Sequence, residues 1–233
     1  MRIIKLIIVV NMLVVVTACT STSTQYDRSA YLDTGSNSQA SDLFVSQGDM
    51  TDQEIANILN YHLQLPVSSR LAILHLSSNP YWRFYSHDFA QLSENIATDF
   101  IGSLRSSQKL FDASYLPTLL IPEQRTLPNL RAAAARYQAD LLLLYRDQCG
   151  SFEKYRLFAA DESRAYCSVE AVLLDIRSGI IPFTSVATES FDTRKLSEDK
   201  NFRETIKKGE MEALARALQK IATDLNTFLS TVS

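Results

Sequence analysis

Glycine and proline are scarce, with six of each in 233 residues. That scarcity excludes collagen-like, low-complexity and repeat architectures, and no segment recurs along the chain. Six scattered glycines leave no phosphate-cradling loop: there is no G-x-G-x-x-G, no P-loop and no G-x-S-x-G elbow. Histidine is rarer still. His62, His75 and His87 make no H-E-x-x-H and no Cys/His cluster, so they are expected to be structural. Positive charge is not in excess. With 23 Lys+Arg against 26 Asp+Glu the formal net charge is −3, no electrostatic footprint for nucleic acid. These absences point away from an enzyme, cofactor or metal site, although a Ser/His/Asp site assembled only in space would leave no local trace.

What is present starts with a leader. Arg2 and Lys5 form a short positive region, and an apolar stretch from Leu6 to Val16 follows, broken only by Asn11. Small residues Thr17 and Ala18 then precede Cys19. A membrane-spanning helix needs about 20 apolar residues, so residues 1–18 read as a cleaved secretory signal. Val16-Thr17-Ala18-Cys19 also resembles the lipobox of bacterial lipoproteins. The resemblance implies a diacylglyceryl group on the Cys19 thiol, cleavage before Cys19, and palmitate-type acylation of the new amine. Each buried methylene contributes about 0.8 kcal/mol, so three chains make a lasting membrane anchor. Thr20, where an Asp would favour inner-membrane retention, resembles an outer-membrane address on the periplasmic face. The alternative is an ordinary signal peptide with a chance cysteine.

Residues 19–45 are rich in Ser, Thr, Gln, Asn and Asp without hydrophobic periodicity. They read as a flexible tether, and some 20 extended residues reach about 70 Å. Residues 46–233 are expected to form one α+β (or α/β) domain, a mixed five-stranded sheet packed with helices.

Thr51-Asp52-Gln53-Glu54 has the form of a capping box, and Ile55, Ile58 and Leu59 share one helical face. Arg70 to Ser77 reads as a strand. Phe89, Leu92, Ile96, Phe100 and Leu104 predict a helix over 87–106, and "KLFDASYLP" a second strand. Thr126 with Pro128 opens another helix. Four leucines, Leu141 to Leu144, predict a strand covered on both faces. "AYCSVEAVLLDI", the turn Asp175 to Gly179 and "IIPFTSVATESF" complete three consecutive strands. A stripe of Met211, Leu214, Leu218, Ile221, Leu225 and Phe228 predicts a helix over 204–230. The charged run Glu198 to Lys208 reads as a solvated connection and first helical turn.

Two cysteines remain beyond the leader, Cys149 and Cys167. An exported chain meets an oxidising compartment, where an even pair is usually bridged. Register argues for caution: a turn centred near Asp161 would set Cys149 opposite residue 173. The bridge then needs a longer or bulged connection. The alternative is two separate buried thiols.

The run "AAARYQADLLLLYRDQC" followed by "YCSVEAVLLDIRSGIIPFTS" resembles a known pattern, a helix leading into an apolar strand and then a hairpin with "LD-x-R-S-G" at its turn. Over about residues 67–192 the chain is similar to a domain shared by three envelope proteins. These are the curli-secretion lipoprotein, the lipoprotein activator of penicillin-binding proteins, and the amino-terminal domain of the Tol-system translocation protein. It also resembles the rhombotarget lipoproteins. The resemblance implies an adaptor or assembly accessory of the envelope. The long amphipathic hairpin of the pore-forming member is not seen. The side chains best suited to a protein partner are Tyr81, Trp82, Arg83, Phe84 and Tyr85, since Trp, Tyr and Arg are the usual interface anchors and loops gather function. For these aromatics the alternative is that they fold back over the core; for the whole chain, the alternatives are a small-ligand binder or enzyme built from loops, or a subunit of an oligomeric secretion ring.

Overall fold

The four leucines set the plan of the domain. Successive side chains of a strand point to opposite faces, so an unbroken apolar run needs cover on both. The computed structural model describes residues 50–76, 87–154, 162–197, 199 and 201–232. In it Leu141 and Leu143 lie in one core and Leu142 and Leu144 in another, all fully buried. The leader, Cys19, the tether and the aromatic loop Tyr81–Tyr85 lie outside the described residues.

These leucines open β3 (Leu141–Lys154) of a five-stranded mixed sheet. The other strands are β1 (Ser69–His75), β2 (Leu110–Tyr115), β4 (Glu162–Asp175) and β5 (Phe183–Arg194), and the order is β2-β1-β3-β4-β5. β1 runs parallel to both β2 and β3, while β3, β4 and β5 form an antiparallel meander. The helices are α1 (Asp52–Leu59), α2 (His87–Arg105), α3 (Leu127–Arg136) and α4 (Phe202–Thr231). The domain is therefore α+β, with a parallel and an antiparallel half.

Connectivity dictates where the helices go. The crossover from β1 to β2 moves one way along the sheet, and that from β2 to β3 moves back past β1. Parallel crossovers are right-handed in nearly all cases, so the two helices land on opposite faces. Accordingly α2 supplies Phe100 and Leu104 to one core and α3 supplies Leu130, Ala133 and Ala134 to the other. α4 joins α2 on its face, burying Met211, Leu214, Leu218, Ile221, Leu225 and Leu229. At Gly209 it lies close against the sheet. A Cβ there would meet Thr193 Cγ2 at 3.0 Å and Ala165 Cβ at 3.4 Å.

Local signals mostly match. The capping box forms: the Thr51 hydroxyl accepts from the Glu54 amide and Glu54 accepts from the Thr51 amide at 2.8 Å. Thr126 and Pro128 start α3, but the Thr126 side chain makes no capping hydrogen bond. α3 ends in a Schellman arrangement, with the amides of Gln138 and Ala139 donating to Ala135 and Ala134 carbonyls at 3.0 Å. Gln138 takes the left-handed backbone, φ 59°, where glycine is usual.

Three expectations change. The apolar residues of α1 are not buried: Ile55, Ile58 and Leu59 are exposed. His62, expected at the end of that helix, lies just beyond it. Part of the charged run is also buried. Asp199 is 6% exposed, accepting from Lys208 Nζ at 2.7 Å and from the Thr205 hydroxyl at 2.6 Å. Its carboxylate stitches the β5–α4 connection to the first turns of α4.

The Asp175–Gly179 turn owes its form to one carboxylate. Asp175 accepts from the Ser178 hydroxyl at 2.5 Å, from the amides of Arg177 and Ser178, and from the Tyr61 hydroxyl at 2.7 Å. Gly179 has φ 79°, and Arg131, which donates to the Ile176 and Arg177 carbonyls, leaves no room for a Cβ there. Burial alone would raise the Asp175 carboxyl, but hydrogen bonds from Ser178, Tyr61 and the two amides outweigh it and hold it below its ordinary value. A depressed folded-state value means stability that is present above the unfolded pKa, near 4, and lost as pH falls through the folded one. Asp175→Asn is expected to cost about 1–2 kcal/mol at neutral pH, as loss of a carboxylate cap does. The cost should shrink at acid pH. Urea midpoints of both proteins at pH 7 and pH 3 check it; an equal gap at the two values rejects the role.

Candidate functional site

β1 stops at His75, while β3 runs on past its partner for most of its length. The ledge so formed lies between β1 and β3, at the carboxyl ends of the parallel strands. This is where the chain order reverses, and open α/β sheets place ligands at such switch points.

Alternation builds the ledge from β3. Leu141, Leu143, Tyr145, Asp147 and Cys149 are two residues apart and share the face under α2 and α4, so the apolar series turns polar as β1 ends. β1 brings His75 opposite Tyr145. Their rings stack, with centroids 4.5 Å apart and planes at 7°, and Phe100 of α2 meets Tyr145 edge-on. His75 Nε2 hydrogen-bonds Asp147 Oδ1. The Asp147 side chain is 9% exposed and that of His75 30%, so the imidazole is the solvent-facing partner. Below them the Tyr145 and Tyr115 hydroxyls are 2.9 Å apart. Burial pushes the Tyr145 hydroxyl well above its usual value, with Tyr115 adding to the effect. Burial raises Tyr115 too, against a smaller opposing effect of its hydrogen bond to Tyr145. Both phenols stay neutral and serve as hydrogen-bonding groups.

The same ledge holds the disulfide. Cys149 and Cys167 are directly opposite in the β3–β4 register and are bonded. Their Cα atoms are 4.1 Å apart, the spacing of a non-hydrogen-bonded antiparallel pair, in which side chains come closest. No bulge is needed, because Lys154 faces Glu162 and the hairpin is centred on residue 158, not Asp161. Cys149 Sγ is 3.8 Å from Asp147 Oδ2. In the disulfide that sulfur has no proton to donate, so the contact is van der Waals. Asp147, Cys149 and Cys167 nonetheless place one ligand atom each within 4.8 Å of one another.

Sequence reasoning found the two cysteines and missed the groups beside them. His75 and Asp147 are 72 residues apart, and only the sheet register joins them. The available signal was parity: an aspartate at an inward position of an apolar strand. Of the other histidines, His62 is exposed and His87 begins α2.

The opposite face of the antiparallel half is a second candidate surface. α3 covers it only as far as Leu144 and Val172. Beyond lie ion pairs across the strands, Arg146 with Glu170 at 2.6 Å, Arg164 with Asp192 at 2.8 Å, and Arg194 with Glu162 at 2.7 Å. Phe152 and Val186 are exposed among them. Exposed pairs of this kind are screened by solvent and salt, so this surface adds little to stability.

No protein-family model matches the chain, and no curated protein is similar to it. Among solved structures, a hypothetical protein from Chlamydia trachomatis is 15% identical. It covers 68% of this chain and 96% of its own, at a TM-score of 0.40. A candidate lipoprotein from Caulobacter crescentus is 16% identical, covering 68% and 91%, at 0.35. A lipoprotein from Neisseria meningitidis is 14% identical, covering 67% and 99%, at 0.31. At these scores the likenesses bear on neither the activity nor the partners of this chain.

The disulfide closes a loop of 18 residues, for which chain entropy gives about 3 kcal/mol. Alkylation of the denatured, unreduced mature protein should leave Cys149 and Cys167 unmodified, and the Cys149→Ala/Cys167→Ala variant should lose about that much in urea unfolding. Full alkylation without reductant overturns the bond.

Proposed function

We propose that this protein is a lipid-anchored envelope lipoprotein, held at the periplasmic face of the outer membrane through Cys19. It acts as an adaptor or assembly accessory by protein–protein contact and not as an enzyme. One observation carries the reading: a positive start, a short apolar stretch and small residues all converge on a cysteine at residue 19. The part of the β3–β4–β5 face beyond α3, with Phe152 and Val186 exposed among paired charges, supports a contact role. So do Tyr81, Trp82, Arg83, Phe84 and Tyr85 as anchor residue types.

The anchor is tested with Cys19→Ser, which leaves no thiol to be diacylated. Metabolic labelling with a clickable fatty acid should mark the wild type and not the variant, which should leave the membrane fraction. Equal labelling sinks the anchor.

The contact role is tested with Trp82→Ala. Loss of a desolvated aromatic anchor costs about 2 kcal/mol or more of binding, roughly thirtyfold in affinity. Capture of a defined protein from intact envelopes should fall by that order with the denaturant midpoint unchanged. A midpoint loss worth about 3–5 kcal/mol makes the loop a cover for the core instead. Unchanged capture and midpoint remove it as the interface.

A further inference from the structure

We propose that the free edge of β5 is closed by the chain's own tether, with Leu43-Phe44-Val45 added to the sheet as a sixth strand antiparallel to β5. β5 ends the sheet with 12 residues, twice the length of β2 at the other edge. It carries none of the devices that usually keep an edge from pairing: no proline, no lysine and no bulge in its register with β4. The direction of its free groups follows from the disulfide. Cys149 and Cys167 are a non-hydrogen-bonded pair, so the Cys167 amide and carbonyl turn toward Glu189 of β5 and those of Glu189 turn back. Alternation then points the amides and carbonyls of Thr184, Val186 and Thr188 outward. Among the described residues no backbone group meets them there, and all three residues are exposed. The far half of the edge is taken up differently. Arg216 of α4 lies over the Phe191 ring, 4.8 Å from its centroid, and donates to the Ser190 carbonyl at 3.5 Å. The strand's charges, Glu189, Asp192 and Arg194, sit in that half, whereas Phe183–Thr188 has none. The open, uncharged half is the one next to the Asp175–Gly179 turn.

The path of the chain names the occupant. Tyr61 donates to Asp175 at 2.7 Å, so the residues just after α1 are held at the turn that leads into β5. From there α1 extends about 12 Å, and residues 46–50 reach about 14 Å more when extended. Those lengths are of the order of the sheet's own width, and they bring the stretch before residue 46 within reach of the β5 edge. Leu43-Phe44-Val45 is the apolar run nearest Met50 on the leader side, and phenylalanine and valine favour strands. Coming from the leader toward the turn, it runs antiparallel to β5, which leaves the turn. With Phe44 opposite Val186, Leu43 faces Ala187 and Val45 faces Ser185. Phe44 then shares the outer face with Val186, which is 55% exposed. Leu43 and Val45 fall on the α4 side, where Phe183 and Phe228 meet with centroids 5.2 Å apart. The pairing joins the tether to the sheet eight residues before Met50 and does not depend on the lipid.

Amide hydrogen exchange read residue by residue tests it, on the chain from residue 19 carrying Cys19→Ser. The outward amides of Thr184, Val186 and Thr188 should exchange at least about tenfold more slowly than unpaired exposed amides. The inward amides of Ser185 and Ala187, bonded to β4, should be protected in any case and report that the domain is folded. Phe44→Pro removes the amide that meets the Val186 carbonyl and does not fit a paired position. It should release the three outward amides and leave Ser185 and Ala187 protected. A short contact between the α-protons of Leu43 and Ala187 should appear in the nuclear Overhauser spectrum of the wild type and vanish in Phe44→Pro. Outward amides that exchange freely in the wild type while Ser185 and Ala187 stay protected overturn the proposal, because the edge is then open. Protection unchanged in Phe44→Pro overturns it too, since another segment then holds the edge. Protection that falls on dilution assigns the edge to a second copy and overturns it equally.

Discussion

Everything in this domain hangs on β3 being wanted from both sides. Its first four residues are leucines that only two cores can cover, so the strand must sit between helix layers. One edge of β3 takes β1 in parallel and the other takes β4 antiparallel, which makes it the seam between two kinds of sheet. Parallel strands need crossovers, and crossovers bring the helices that cover the leucines. Once β1 ends, that requirement ends too, and the strand changes composition within a few residues from Leu144 to Asp147.

The ledge is a consequence of that change. A carboxylate, an imidazole and two phenols could not sit in the leucine-lined part of the seam without partners. They sit where the parallel half runs out and solvent reaches His75. There each finds another: Asp147 with His75, Tyr145 with Tyr115. The disulfide lies one alternation further on, on the same face. Stability and chemistry thus share a single row of β3 side chains, read outward from core to solvent.

Much of the fold was legible because its signals are local. The leucine run, the α4 stripe, the Thr51 capping box and the Asp175–Gly179 turn each declare themselves within a few residues. The ledge was not, because His75 and Asp147 meet only after two crossovers have placed β1 beside β3. Spacing along the chain puts no partner beside Cys149 and Cys167, because their neighbours come from across the sheet. The stripe of α1 shows the reverse. Ile55, Ile58 and Leu59 share a face as their spacing says, but periodicity gives a face and not its cover. The register of the first hairpin failed by a small count. Placing its centre at Asp161 instead of residue 158 separates two cysteines that in fact face each other.

The unequal strand lengths have a mechanical meaning. β1 and β2 stop early, and β3, β4 and β5 project past them as a ribbon held on one side by α4 and clamped across its root by Cys149–Cys167. Such a ribbon is a cantilever. A pull on its tip loads the hydrogen bonds of β3–β4 in series and reaches the disulfide before it reaches the leucine seam. A covalent stop at that point confines bending to the projecting part and spares the parallel half.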